Sequence, residues 1–149
     1  VKTRLRSLLN LPEINIAIFA FLLNFVWEML QVPFFSGMTE SQHWKAAKTC
    51  SVATGGDVAV SIVAFCLVAW LAGTRNWILH PTRLQFGLFI GLGVFWSVAV
   101  EIVATKVLHR WAYSNSMPLL PGLNIGIVPI MQWILILPLV VWFVRRQLT

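Results

Sequence analysis

Four apolar runs divide the 149-residue chain: Ile14–Phe35, about Val52–Ala72, about Leu84–Leu108 and about Leu123–Val144. A hydrocarbon core of about 30 Å takes about 20 helical residues to cross, so each run is long enough and the length leaves room for little besides loops. The predicted fold is therefore all-α, an integral membrane bundle of four transmembrane helices in one domain. Composition agrees. Hydrophobic residues make up 58% of the chain and charged residues 11%, against about 25% charged in soluble domains. Mean hydropathy is +0.80. A disordered chain, a disulfide-rich secreted scaffold and a cytosolic enzyme domain are excluded.

The formal charge of +6 comes from 11 Lys and Arg against 5 acids. The basic residues sit at the ends of the apolar runs, which points to topological anchoring and headgroup contact and not to nucleic acid. Lys2, Arg4, Arg6, Arg75, Arg83, Arg145 and Arg146 share one side, and Lys45, Lys48, Lys106 and Arg110 the other. The positive-inside rule then predicts both termini in the cytoplasm, for a bundle read as lying in the inner (plasma) membrane. The basic N-terminal stretch resembles the start of a signal peptide. However, the run after it is too long, carries Asn24 and Glu28, and lacks a small-x-small cleavage site, so a retained helix is expected. Cys50 and Cys66 lie about 24 Å apart along one helix, beyond disulfide reach, and read as packing residues.

The placement of the acids is more informative. Glu13 and Glu40 flank spans, but Glu28, Asp57 and Glu101 lie inside three different ones. Each costs roughly 2.5–3.5 kcal/mol at membrane depth. Each also continues a polar stripe at helical spacing: Asn24, Glu28 and Gln31; Thr54, Asp57 and Ser61; Ser97, Glu101 and Thr105. Asn124 and Gln132 give the fourth span a similar face. Positions three or four apart share a helix face, and polar faces in a membrane bundle turn inward, so the four stripes are predicted to converge. Their depths match. Glu28 and Glu101 stand about seven residues from the outer ends of their spans, Asp57 about five and Gln132 about nine. Three carboxylates together in low dielectric cannot all stay charged without a cation between them. Lys45, Lys48, Lys106 and Arg110 are on the same side, with His43 and His109 expected at the mouth of the cluster as proton exchangers.

The third connection is unusual. Trp111, Tyr113, Met117-Pro118, Leu119-Leu120 and Pro121-Gly122 prevent a regular helix yet favour the membrane interface. It reads as an interfacial or shallow re-entrant flap over the outer end of the bundle, or as a plain loop with aromatic anchors.

Several functions compete for such a pocket. Structural glue needs only amides and hydroxyls, at about 0.6 kcal/mol per interhelical bond, which leaves the acids unexplained. Metal binding has one Glu-x-x-His, Glu40 to His43, in a loop, whereas a di-iron bundle uses two on helices, so no metal site is predicted. There is no Cys-x-x-Cys-His for covalent haem. A through-pore is disfavoured by the apolar inner halves Val63–Ala69 and Leu135–Val141, which leave at most a half-channel. Acid–base chemistry on a lipophilic substrate, of the isomerase or cyclase type, would use Glu28 and Glu101 as acid and base with Asp57 orienting. Trp27, Trp44, Trp96, Trp111 and Trp133 in the outer half would steady a cation. The remaining reading is binding of a quinone, isoprenoid, pigment or lipid, or service as an accessory subunit of a larger hetero-oligomeric membrane complex. The ligand set would be Asn24, Trp27, Gln31, Ser61, Ser97, Gln132, His43, His109, Trp111 and Tyr113. Gly87-x-x-x-Gly91 would permit a close helix approach. No cofactor is identified by the residues.

Three segments together resemble an uncharacterised family of small bacterial four-helix inner-membrane proteins: Asn24-Phe25-Val26-Trp27-Glu28-Met29-Leu30-Gln31, then Ala53-Thr54-Gly55-Gly56-Asp57, then Glu101 followed by Arg110-Trp111-Ala112-Tyr113 and Met117-Pro118. The resemblance spans nearly the whole chain. It implies membrane location and the polar pocket, and carries no activity, cofactor or residue role.

Overall fold

A computed structural model describes residues 10–149. Lys2, Arg4 and Arg6 lie outside the described residues. The described residues fold into four α-helices: α1 (Pro12–Gln31), α2 (His43–Ala72), α3 (Arg83–Ile102) and α4 (Ile127–Leu148). All four are long and apolar enough to cross a membrane, which makes this an all-α, multi-pass membrane protein. They form a ring in which α1 packs on α2 and α4, and α3 on α2 and α4.

Local chemistry sets the helix ends. Pro12 opens α1, where its missing N–H costs nothing. A single 3₁₀ turn containing Pro33 closes it. Gly73 ends α2 in the left-handed region at φ 67°, returning its N–H to Ala69 and Trp70. Thr82 and Gln85 form a reciprocal capping box at the start of α3. The far end of α3 widens into a π-turn, Val103–Val107, closed by Leu108 N–H on the Val103 carbonyl at 2.9 Å.

Two boundaries differ from the hydropathy reading. α2 begins at His43, not near Val52, because Lys45, Ala46, Ala47 and Lys48 are good helix formers that an apolar window passes over. Asp57 thus stands fourteen residues into α2, about 21 Å of rise and not five residues. α4 begins at Ile127, not Leu123. Asn124 adopts φ 50° in a tight turn closed by Leu120 N–H on Ile125 O at 2.8 Å, and so leaves the polar stripe. The described basic residues also divide evenly, Arg75, Arg83, Arg145 and Arg146 against Lys45, Lys48, Lys106 and Arg110.

The apolar core fills the half of the bundle that holds the α2–α3 connection. Ile16, Phe65, Val68, Phe89, Leu137 and Val140 are buried there. The 3₁₀ turn Arg75–Leu79 tucks back beneath the helices. It inserts Trp77, which stacks on Phe65 at 5.6 Å and meets Phe89 edge-on at 5.5 Å. Arg75 Nε donates to Glu13 Oε1 at 2.6 Å and ties that turn to α1. Large apolar side chains such as Leu30, Trp70, Leu84 and Phe95 face outward, as lipid contact requires.

α3 and α4 approach closely at Gly93, where an added Cβ would fall 2.8 Å from Leu137 Cδ1 and against the Trp133 ring. Gly93→Ala should cost about 1–3 kcal/mol through overpacking. Gly87→Ala, whose Cβ meets nothing within 4 Å, should hold or gain stability. Thermal unfolding in detergent checks the contrast.

Candidate functional site

The polar stripes of α1 and α2 meet that of α4 at Gln132, in the second turn of α4, whereas the stripe of α3 makes no bond to it. Its Nε2 donates to Asn24 Oδ1 at 2.8 Å and to Asp57 Oδ2 at 3.0 Å, with Glu28 Oε1 at 3.4 Å. An amide nitrogen carries two protons, so the third contact is shared. Asn24 presents its oxygen because its own Nδ2 is spent on the Ala20 carbonyl one turn back, at 2.8 Å. Gln31 Nε2 donates to the same Glu28 oxygen at 2.7 Å. One side chain of α4 thereby joins α1 to α2. Asn24, Gln31 and Gln132 are buried; Glu28 and Asp57 are half-buried.

Glu101, the penultimate residue of α3, is buried and takes its partners from the third connection. The Tyr113 hydroxyl donates to its Oε2, and the Trp111 indole N–H approaches the same oxygen at 3.5 Å. Burial is the main cause that pushes the Tyr113 phenol above its usual range; donation to the Glu101 carboxylate adds to it.

The third connection is an ordered cap. Residues 33–36 and 112–114 pair as a short antiparallel ribbon: Ser36 N–H donates to Ala112 O and Ser114 N–H to Phe34 O, both at 2.9 Å. Ser36 Oγ donates to Tyr113 O and Ser114 Oγ to Pro33 O, both at 2.8 Å. Phe35 packs on the Trp111 and Tyr113 rings. On the other flank Ile127 N–H reaches Pro118 O at 2.9 Å. Met117 is buried against Gly126, where a Cβ would stand 2.9 Å from Met117 Sδ and 3.1 Å from Tyr113 Cε1. Phe35 and Gly126 therefore hold Tyr113 in place, although neither bears chemistry that marks it in the sequence.

Other predicted members fall elsewhere. Ser61 turns its hydroxyl to the Asp57 carbonyl of its own helix at 2.8 Å. Ser97 is buried on α3. His43 opens α2, about 21 Å of rise from Asp57. His109 follows the π-turn at φ 48°. Both histidines are exposed, and neither reaches the carboxylates. Lys106 Nζ donates to the Leu123 carbonyl and so fastens the cap. Among the described residues the one ion pair is Arg75–Glu13, at the opposite end, so no Lys or Arg is paired with Glu28, Asp57 or Glu101. No three His, Cys, Asp or Glu side chains among the described residues are grouped to hold a metal ion. Three buried polar atoms on or beside the stripes have no hydrogen-bond partner: Trp27 Nε1, Gln31 Oε1 and Thr54 Oγ1.

Comparison with known protein families, curated proteins and solved structures returns no match.

Gln132→Leu should lower stability by about 1–3 kcal/mol, since it strips the donor from buried acceptors on two helices; chemical unfolding in mixed micelles measures it. Tyr113 is the single tyrosine of the chain, so phenolate absorbance reports it alone. No phenolate should form in the folded protein at pH 10, and Glu101→Gln should bring its titration down. As pH rises past about 10 the unfolded chain loses the proton first, so folding stability should fall.

Proposed function

We propose that the carboxylate cluster and its cap form a binding site for a lipophilic small molecule with a polar head, of the quinone, isoprenoid, pigment or lipid class. One observation carries this reading. Gln31 Oε1, Trp27 Nε1 and Thr54 Oγ1 are buried without partners, beside carboxylates that no cation of the described residues neutralises. Each such atom costs about 1–3 kcal/mol when left unpaired. A head group that both donates and accepts would offset that cost at each of these atoms it reaches. The bundle would lie in the inner (plasma) membrane with both termini cytoplasmic and the cap on the outer face. Such a protein would act alone or as an accessory subunit of a larger membrane complex.

The Tyr113–Glu101 contact favours a second reading, acid–base isomerisation or cyclisation of a lipophilic substrate. A phenol proton held against a carboxylate, with Glu28 and Asp57 bridged by Gln132 close by, is the arrangement in which protons can be handed to and taken from an alkene. Glu28 and Glu101 would be acid and base and Asp57 the orienting group.

Mass spectrometry of the intact protein, released gently from its native membrane, separates these readings. Wild type should carry one small molecule per chain, and Gln31→Leu and Tyr113→Phe should lower its occupancy about tenfold, equivalent to about 1.4 kcal/mol. A stoichiometric second chain would identify a subunit. A bare protein whose Glu28→Gln variant is no less stable would leave only a structural role for the cluster.

A further inference from the structure

The opposite end of the bundle carries two cavities that the carboxylate site does not use. One, of about 360 Å³, lies between the start of α3 and the end of α4, with Arg83 and Arg145 at its rim and Phe86, Pro138, Val141 and Trp142 as apolar walls. The other, of about 320 Å³, runs along the outer face of α3 over Gly87 and Gly91, flanked by Leu84, Leu88 and Leu92. Arg83 borders both, so the two are adjacent.

We infer that this end binds an anionic phospholipid, its phosphate held between Arg83 and Arg145 and one acyl chain laid along the Gly87–Gly91 groove.

Charge supports the headgroup assignment. No carboxylate lines either cavity. Glu13, near this end, is taken by Arg75. Arg83 and Arg145 are exposed and without an ion pair among the described residues. Arg146 lies over the Trp142 ring at 5.5 Å, which keeps a third guanidinium at the cavity edge. Planar guanidinium groups match phosphate oxygens with paired hydrogen bonds. Two of them would repel the cation of a zwitterionic headgroup.

Shape supports the acyl chain. Arg83 and Arg145 stand at helix ends, the level of lipid headgroups, and half-exposed Trp142 suits the same level. From Arg83 to Leu92 the groove descends nine residues, about 14 Å of rise, close to half of the roughly 30 Å hydrocarbon thickness. Its floor is open. A Cβ on Gly87 or Gly91 meets nothing within 4 Å, whereas one on Gly93 runs into α4. The bundle thus uses Gly93 for its own packing and leaves the other two glycines facing outward. The walls of the first cavity would seat the second chain, where Pro138 interrupts the hydrogen-bond ladder of α4.

Native mass spectrometry of the delipidated full chain in detergent tests this. It would be titrated with phosphatidylglycerol and phosphatidylcholine of identical acyl chains, and with inorganic phosphate alone. The expected result is at least about tenfold preference for phosphatidylglycerol. Arg83→Gln combined with Arg145→Gln should abolish that preference. Gly87→Leu, which fills the groove from a position whose Cβ meets nothing within 4 Å, should weaken phosphatidylglycerol binding several-fold at unchanged thermal stability. Equal affinity for the two lipids, a preference that survives the double substitution, or phosphate binding as tight as the lipid would overturn the headgroup assignment. Unchanged lipid binding by Gly87→Leu would overturn the chain placement. A dimer in wild type that Gly87→Leu dissociates would give the groove to a second copy and overturn the proposal.

Discussion

The Gln132 amide, donating at once to α1 and α2, is the interaction on which the arrangement of the bundle depends. Between helices in lipid, apolar packing gains little, because hydrocarbon tails are as apolar as leucine, and polar bonds decide which faces meet and at what height. Gln132 fixes both. It brings Asn24 and Glu28 of α1 level with Asp57 of α2, and everything toward the cap is measured from that plane. α2, thirty residues long, consequently runs on past the network on this side, which carries its polar opening turns, with Lys45 and Lys48, away from the apolar layer.

The two halves of the bundle are built from opposite materials. Away from the cap, Phe65, Trp77 and Phe89 form an aromatic wedge above a layer of Val68, Leu137 and Val140. Toward the cap the interior is amides and carboxylates, closed by a ribbon whose strands come from the first and third connections. A change at the Tyr113–Glu101 contact would be felt through Phe35 and Met117 by both connections.

Much of this was legible in the sequence, and the limits have physical causes. The four spans and the inward stripes follow from apolar run length and the 3.6-residue period, which act within one helix and need no knowledge of partners. Asn24, Glu28, Asp57 and Gln132 converge as their spacing predicts. What period alone does not reveal is how a polar side chain spends its bonds. Ser61 lies on the right face but turns to its own backbone, and Asn24 contributes an acceptor only because its nitrogen is already used. Hydropathy also misplaces helix ends where polar helix formers extend a span, as at His43, or where a turn residue at positive φ delays one, as at Asn124. The residues that seat Tyr113, Phe35 and Gly126, act by shape across the fold, so nothing in their local sequence marks them.

The remaining question is why acids occupy positions that amides could fill. A helix-to-helix bond to Gln132 needs an acceptor oxygen, and Asn24 shows that an amide oxygen serves at 2.8 Å. Glutamine at 28 or asparagine at 57 would offer the same acceptor without the roughly 2.5–3.5 kcal/mol that an ionisable group costs at this depth. Holding the bundle together therefore does not account for the carboxylates, and Glu101 sharpens the point. It makes no bond to another transmembrane helix and instead receives its donors from the cap, whose own pairing to the first connection is complete in backbone and serine bonds. Under the proposed binding role, acid groups placed where neither helix packing nor loop closure requires them are the groups that meet the ligand.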